Sequence, residues 1–493
     1  MKNIFKVTFM ATALLAVVGC GKEFLEKEPS QFLTSDQVDD AGSRNPDVLA
    51  GTLTGIYQLT LDAFTGGTES HTDFGHKAYD LQSDMLTGDV ALSISTYGWY
   101  RADITECLGP LDFTRLANYQ PWRYYYRVIR SANIVIAALG GNDAVPEIEG
   151  NRHNLAQAKT LRAHSYFYLT QYFQNSYEPS QLILPIYTNP DDVNGPKVSA
   201  QEIYDLIESD LNSALELFEG FNRGQKSQIN ADVAKGILAY VHGAKGEWQE
   251  VYDLTKEVLD AGNHSILSEE QLTGGFNDLS TSSWMWGVDL TSDVGLGLVS
   301  WWGQMDYYTY SYAWAGDAKA IDASLYANIP ADDVRKGQFQ PPGSGYTSLM
   351  PLNKFYDPNK IIGGQAPVTT DYVYMRIEEM YLLNAEAAAH LGMTAEAVSV
   401  MKEVLGNRVA DLSYLDGLSG QALLDEIYLQ TRIEFWGEGK SYLAMKRNKA
   451  TIVRGSNHLS YIGVPIPYDD ERLTFEIPEA ELQANPLITD QNN

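Results

Sequence analysis

The chain has 493 residues, 35 Lys+Arg and 64 Asp+Glu, for a formal charge of −29. That balance excludes a nucleic-acid partner, which needs a basic footprint, and electrostatic docking on an anionic membrane surface. Hydrophobic residues make up 44% and charged residues 20%, enough for a large core; aromatics average 11%.

The N-terminus opens with Lys2 and Lys6, then a mostly apolar run from Val7 to Val18. The run is too short to span a bilayer, which takes about 20 residues, and has the form of a signal peptide. It ends in Val17-Val18-Gly19-Cys20, a pattern that resembles a bacterial lipobox. The expectation is a signal peptide over 1–19 and lipidation at Cys20, where several acyl chains give stable anchoring. After Cys20 only Cys107 remains, so no internal disulfide supports the fold.

Helical periodicity recurs along the chain. Trp122 to Leu139 and Leu155 to Phe173 are two helix candidates. Ile203, Leu206, Ile207, Ala214, Leu217 and Phe218 follow the i, i+3, i+4 pattern, and Ser199 with Glu202 forms a capping-box start. Val233 to Ala244 and Trp248 to Leu259 make a helical pair divided by Gly246 and closed by Gly262. A second pair, Met380 to Leu391 and Ala397 to Leu405, is divided by Gly392. Such hairpins approach the tetratricopeptide period and bury their faces by stacking. The predicted fold is therefore mainly α: a tetratricopeptide-like helical hairpin scaffold, mainly 120–262 and 371–450, with large irregular loop insertions. It forms a single body over 20–493, and an irregular ligand-binding region is expected over about 262–370 plus 70–105.

The irregular region is rich in aromatics. Between Trp284 and Trp314 stand nine aromatic residues in 31 positions, including five of the nine Trp, with no Lys or Arg. Aromatic faces stack on the C–H faces of sugar rings, and Asp, Asn and Gln serve the hydroxyls. A second cluster, Tyr97, Trp99 and Tyr100, occupies another Gly- and Ser-containing stretch. The candidate ligand-binding residues are Tyr97, Trp99, Tyr100, Trp284, Trp286, Trp301, Trp302, Tyr307, Tyr308 and Tyr312. Trp122, Tyr124, Tyr125 and Tyr126 open a helical pattern and are expected in the core.

Catalytic and metal motifs are missing. No His-Glu-x-x-His and no Gly-x-Ser-x-Gly occurs. His71 and His76 are five apart, which is not a helical ligand spacing. Gly437-Glu438-Gly439-Lys440-Ser441 looks like the end of a phosphate loop, but a helical pattern precedes it where a strand is required. No acid pair stands out as glycosidase machinery. No catalytic residue, cofactor or metal is expected.

The chain resembles the SusD/RagB family of outer-membrane nutrient-binding lipoproteins over nearly its whole length. The resemblance is carried by Cys20 with Phe24-Leu25-Glu26 and Pro29; Leu161-Arg162-Ala163, Tyr166-Phe167-Tyr168-Leu169 and Tyr172-Phe173; Arg376, Glu379, Leu382, Ala385, Glu386 and Ala387; Arg432, Glu434, Phe435, Glu438, Gly439, Lys446 and Arg447; and Asn485-Pro486 with Gln491-Asn492. Glu378, Thr431, Lys440 and Ala444 depart from it, as does Gln174-Asn175-Ser176-Tyr177. The signature positions read as helix-packing and ion-pair sites. The resemblance implies a non-enzymatic surface lipoprotein that captures glycans and delivers them to a SusC-like TonB-dependent outer-membrane transporter. Peptides are the alternative ligand, and a glycoside hydrolase is the remaining rival.

Overall fold

The computed structural model describes residue 42 and residues 44–492. The signal peptide expected at 1–19, Cys20 and the Phe24–Pro29 start lie outside the described residues. No helix among the described residues is long and apolar enough to cross a membrane.

Helices dominate. After α1 (Pro46–Leu59) and α2 (His76–Thr87) come α3 (Leu116–Ala138), α4 (Glu149–Phe173), α5 (Ala200–Leu217), α6 (Ala231–Lys245) and α7 (Trp248–Ala261). The C-terminal part adds α8 (Ile377–His390), α9 (Thr394–Leu405), α10 (Gly420–Glu434) and α11 (Ser441–Arg447). From α3 to α9, successive helices pack on one another.

Their ends follow local chemistry. Ser199 Oγ accepts from the Glu202 N–H (3.3 Å), and the Glu202 carboxylate accepts from the Ser199 N–H (3.0 Å), closing the capping box of α5. Asn230 caps α6 by accepting from the Val233 N–H. Gly246 then breaks the helix at φ +79°, a conformation that costs a Cβ-bearing residue about 1–2 kcal/mol.

α4 is the central helix. Every residue from Asn154 to Phe173 is buried, so polar residues on it need internal partners. Arg162 finds them in Asp210 of α5, through two bonds of 2.7 Å, and in Asn133 of α3 at 2.9 Å.

A second buried polar system joins α8, α10 and the 333–357 segment. Arg376 bonds Glu434 (2.7 Å) and Glu438 (2.8 Å), Arg408 bonds Glu434 (2.8 Å), and Arg335 bonds Glu434 (3.0 Å) and Asp333 (2.7 Å). Lys354 reaches Glu438 at 2.9 Å. Glu378, a departure from the family pattern, belongs here too, facing Arg376 and Arg408. The sequence signature thus marks a structural ion network. Glu438 and Lys440 of the phosphate-loop lookalike are spent inside the fold: Lys440 donates to the Tyr374 carbonyl.

The 262–370 region holds more regular structure than its composition suggests. β1 (Val90–Leu92) pairs antiparallel with β3 (Lys319–Ile321), and β2 (Trp284–Val288) pairs antiparallel with β4 (Tyr372–Arg376). These short ladders pin the insert to the scaffold. The β1–β3 pair sets the loop after β1 beside the loop before β3, where the Ser93 and Thr96 N–H groups donate to the carbonyls of Ala318 and Gly316.

Candidate functional site

Six of the ten sequence candidates are buried: Tyr312, described below, and five that pack into the core. Trp284 and Trp286 are on β2, and every residue of that strand is buried. Trp301 and Trp302 follow Ser300, which caps a short helix, Trp301–Met305, that is buried throughout. The ring of Trp301 packs edge-on to Trp302 and to Phe355. Tyr100 is 2% exposed, with the Lys319 ammonium 5.8 Å from its ring centre. None of these five offers a ring face to a ligand. They are corrected here from candidate ligand residues to core, because closing the insert onto the helices removes their large apolar area from water.

Of the other five, Tyr97, Trp99, Tyr307 and Tyr308 reach the surface, while Tyr312 is buried at 6% exposure against Tyr97 and Trp99. Tyr97 is 57% exposed and Trp99 half-buried. Trp99 stacks on the imidazole of His71, with ring centres 4.8 Å apart and planes 2° apart. Tyr312 wedges edge-on between Tyr97 (5.4 Å) and Trp99 (5.8 Å), and its hydroxyl lies 2.6 Å from His71 Nδ1. Burial lowers the His71 pKa below its usual 6.5, so the ring is neutral at pH 7. Tyr307 and Tyr308 are half-buried and pack edge-on to each other.

Buried carboxylates hold this surface in shape. Asp317 accepts the N–H groups of Thr96 (2.6 Å) and Tyr97 (2.8 Å), which clamps the Tyr97 loop. Asp306 accepts from the Tyr308 N–H (3.0 Å), the Thr309 hydroxyl (2.7 Å) and the Asp357 N–H (3.0 Å). Burial outweighs those bonds and pushes the Asp306 pKa up to about 6. Both side chains serve loop backbone and face away from solvent.

The structure adds residues that were not among the candidates. Tyr310 (50% exposed) and Trp314 (37% exposed) pack together at 5.7 Å. The turn 361–365 is bonded to the backbone of Tyr307, Tyr308 and Tyr310 and sets exposed Ile361 and Ile362 beside them. Gly363 lies under the Trp314 indole at φ +61°; a Cβ there would come within 2.7 Å of the ring. In the sequence His71 stands out only beside His76, at a spacing that does not suit metal ligation. Its loop position gave no sign that it backs Trp99.

Among the described residues one cluster, Glu208, His242 and Glu247, has the spacing for a metal ion. The Lys245 ammonium already lies 2.5 Å from Glu208 and 2.8 Å from Glu247, so a cation of the protein itself fills that role.

The described residues thus form a helical-hairpin scaffold that presents loop-borne aromatic side chains. Comparison with known proteins shows what this chain is similar to. Residues 335–493 match the model of the SusD family, and residues 52–239 match a model described as starch-binding associating with outer membrane. SusD-like protein P25 of Formosa agariphila is 21% identical, over 89% of this chain and 88% of its own. A SusD-like carbohydrate-binding protein of Bacteroides vulgatus superposes with a TM-score of 0.74 at 24% identity, covering 90% of this chain and 97% of that one. A SusD superfamily protein of Bacteroides thetaiotaomicron gives 0.74 at 24% identity, covering 91% and 100%. Two separate stretches of the chain are thus similar to SusD-type families, one of them described as starch-binding and associating with the outer membrane, and the whole fold is that of SusD superfamily structures.

Proposed function

We propose that the chain is an outer-membrane lipoprotein, anchored through Cys20, that captures oligosaccharides at the cell surface and hands them to a SusC-like TonB-dependent transporter. It binds without catalysis. The observation that carries the ligand reading is the set of exposed Tyr97, Tyr310 and Trp314 with half-buried Trp99, on loops fastened to a rigid scaffold. Sugar rings stack there, with Tyr307 and Tyr308 at the edges and the buried Tyr312 supporting Tyr97 and Trp99 from within. The adjacent carboxylates Asp306 and Asp317 are engaged with loop backbone, which favours binding over hydrolysis.

Calorimetric titration against a panel of neutral oligosaccharides and mixed peptides tests the ligand. Saturable heat with a glycan is expected. Heat with peptides alone would move the ligand class to peptides, and product release from a labelled polysaccharide would make the protein a hydrolase. For the bound glycan, Gly363→Ala should weaken affinity about threefold to tenfold by displacing Trp314, since about 1 kcal/mol of strain falls on the turn. Unchanged affinity would remove Trp314 from the site.

Purification of the full chain from detergent-solubilised outer membranes tests the anchor and partner. A TonB-dependent transporter should co-purify, and Cys20→Ala should shift the chain to the soluble fraction. Recovery of the variant in the membrane would rule out anchoring at Cys20.

A further inference from the structure

A cleft of about 550 Å³ opens between α3, the 187–194 loop and the helix Glu479–Ala484, and it shares no lining residue with the aromatic surface. Its α3 wall carries Arg123, Arg127 and Arg130. The spacing i, i+4, i+7 puts all three on one helix face, and all three are exposed. Their one polar contact among the described residues is a 3.4 Å bond from Arg127 to the Thr65 carbonyl. Arg162, Arg335, Arg376, Arg408 and Arg432 each lie within 3.0 Å of a carboxylate, whereas Arg152, Arg223 and Arg454 bond carbonyls instead. What sets Arg123, Arg127 and Arg130 apart is that three guanidiniums without a carboxylate partner among the described residues stand together on one helix face, in a protein of charge −29.

The cleft also offers rings and fixed polar groups. Half-buried Tyr119, Tyr126 and Tyr187 line it, with Tyr126 packed on Trp122 (4.9 Å) and edge-on to Tyr187 (5.5 Å). Its two acids are already committed. Glu481 accepts from Trp122 Nε1 (3.3 Å) and Asn485 (2.9 Å), and Asp192 accepts the N–H groups of Thr188 (2.8 Å) and Asn189 (2.9 Å).

We infer that this cleft binds an anionic saccharide unit, its carboxylate or sulfate held by the three arginines and its ring set against the tyrosines. Guanidinium is planar and holds such oxyanions through two parallel bonds, a strength and geometry that neutral hydroxyls do not match. Tyrosine faces suit a ring with C–H surfaces, and the volume falls in the usual range for small-ligand sites, about 300–1,000 Å³. The acidic remainder of the chain does not oppose it, because charges beyond about 8 Å are largely screened at physiological ionic strength.

The test is calorimetric titration of the full chain in detergent with tetragalacturonate and a sulfated carrageenan tetrasaccharide. Cellotetraose, inorganic sulfate and tetraglutamate serve as controls. At least one anionic tetrasaccharide should bind, and tighter than every control. Raising NaCl from about 50 to about 300 mM should weaken it at least about threefold. The triple variant Arg123→Gln, Arg127→Gln, Arg130→Gln should lose at least about tenfold in affinity, about 1.4 kcal/mol. Glutamine is close to arginine in helix propensity, so the variant folds; Arg127→Gln alone, with a smaller loss in the same direction, guards against a folding defect in the triple. Three results overturn the inference: no binding of either tetrasaccharide, equal binding by the triple variant, or tighter binding of free sulfate or tetraglutamate. A neutral glycan bound at the aromatic surface should be unaffected by the arginine changes, which keeps the two sites experimentally separate.

Discussion

Glu434→Ala should lower the free energy of unfolding by about 3–5 kcal/mol, read as a fall in the urea midpoint by tryptophan fluorescence. Glu434 is 2% exposed and meets three guanidiniums, those of Arg376, Arg408 and Arg335. Removing the carboxylate leaves buried positive charges short of a partner, which costs far more than the pair itself contributes. A loss below about 1 kcal/mol would mean that Glu378, Glu438 and Asp333 absorb the arginines, and the network would then be redundant. The pH dependence has a definite sign. Burial alone would raise the Glu434 pKa, but Arg408, Arg376 and Arg335 outweigh it and hold the group well below its usual 4.5. A depressed carboxylate contributes stability above its unfolded value of about 4.3 and loses it as pH falls through the folded value. The gap between the parent and Glu434→Gln should therefore be constant near neutrality and shrink in acid.

Of that network, the family resemblance marked Arg376, Glu434 and Glu438 as ion-pair positions, whereas Arg335, Asp333, Lys354 and Arg408 come from distant segments that carry no local pattern. The helical hairpins were legible because their periodicity is local. Gly246, Gly262 and Gly392 punctuate them, and Ser199 with Glu202 announces a start that the structure reproduces bond for bond. What the sequence does not encode locally is which way an aromatic in an irregular segment faces. The Trp284–Val288 strand is covered on both sides, so its alternation carries no inside–outside signal. Trp301 and Trp302 are adjacent yet both buried, since the short helix they start is enclosed. Aromatic density correctly marked the segment but mixed core with surface. Tyr310 and Trp314, in the same run, face solvent. The site itself forms only when β1 pairs with β3 and brings the Tyr97 loop to Asp317 across more than two hundred residues, a long-range pairing that no single window contains.

The sharpest separation of surface from core comes from two tryptophans. Trp99→Ala should cost about 2 kcal/mol of glycan affinity, roughly thirtyfold in Kd, measured by calorimetry with the glycan found in the panel. Trp99 is half-buried, one face is covered by His71, and Tyr312 meets its edge, so the ring is held in place and is not reorganised when a sugar arrives. Trp99→Phe keeps a smaller face and should fall between the two. Trp301→Ala should behave in the opposite way. Its ring is 3% exposed, against Trp302, Phe355 and the Lys77 ammonium. Truncation leaves a cavity and should destabilise the fold by about 3–5 kcal/mol while the folded fraction binds glycan with unchanged affinity. The comparison discriminates because each variant moves one observable and spares the other. Parent-like affinity in Trp99→Ala would remove the aromatic surface as the capture site. Weakened binding in Trp301→Ala, at full folding, would return the buried tryptophans to it.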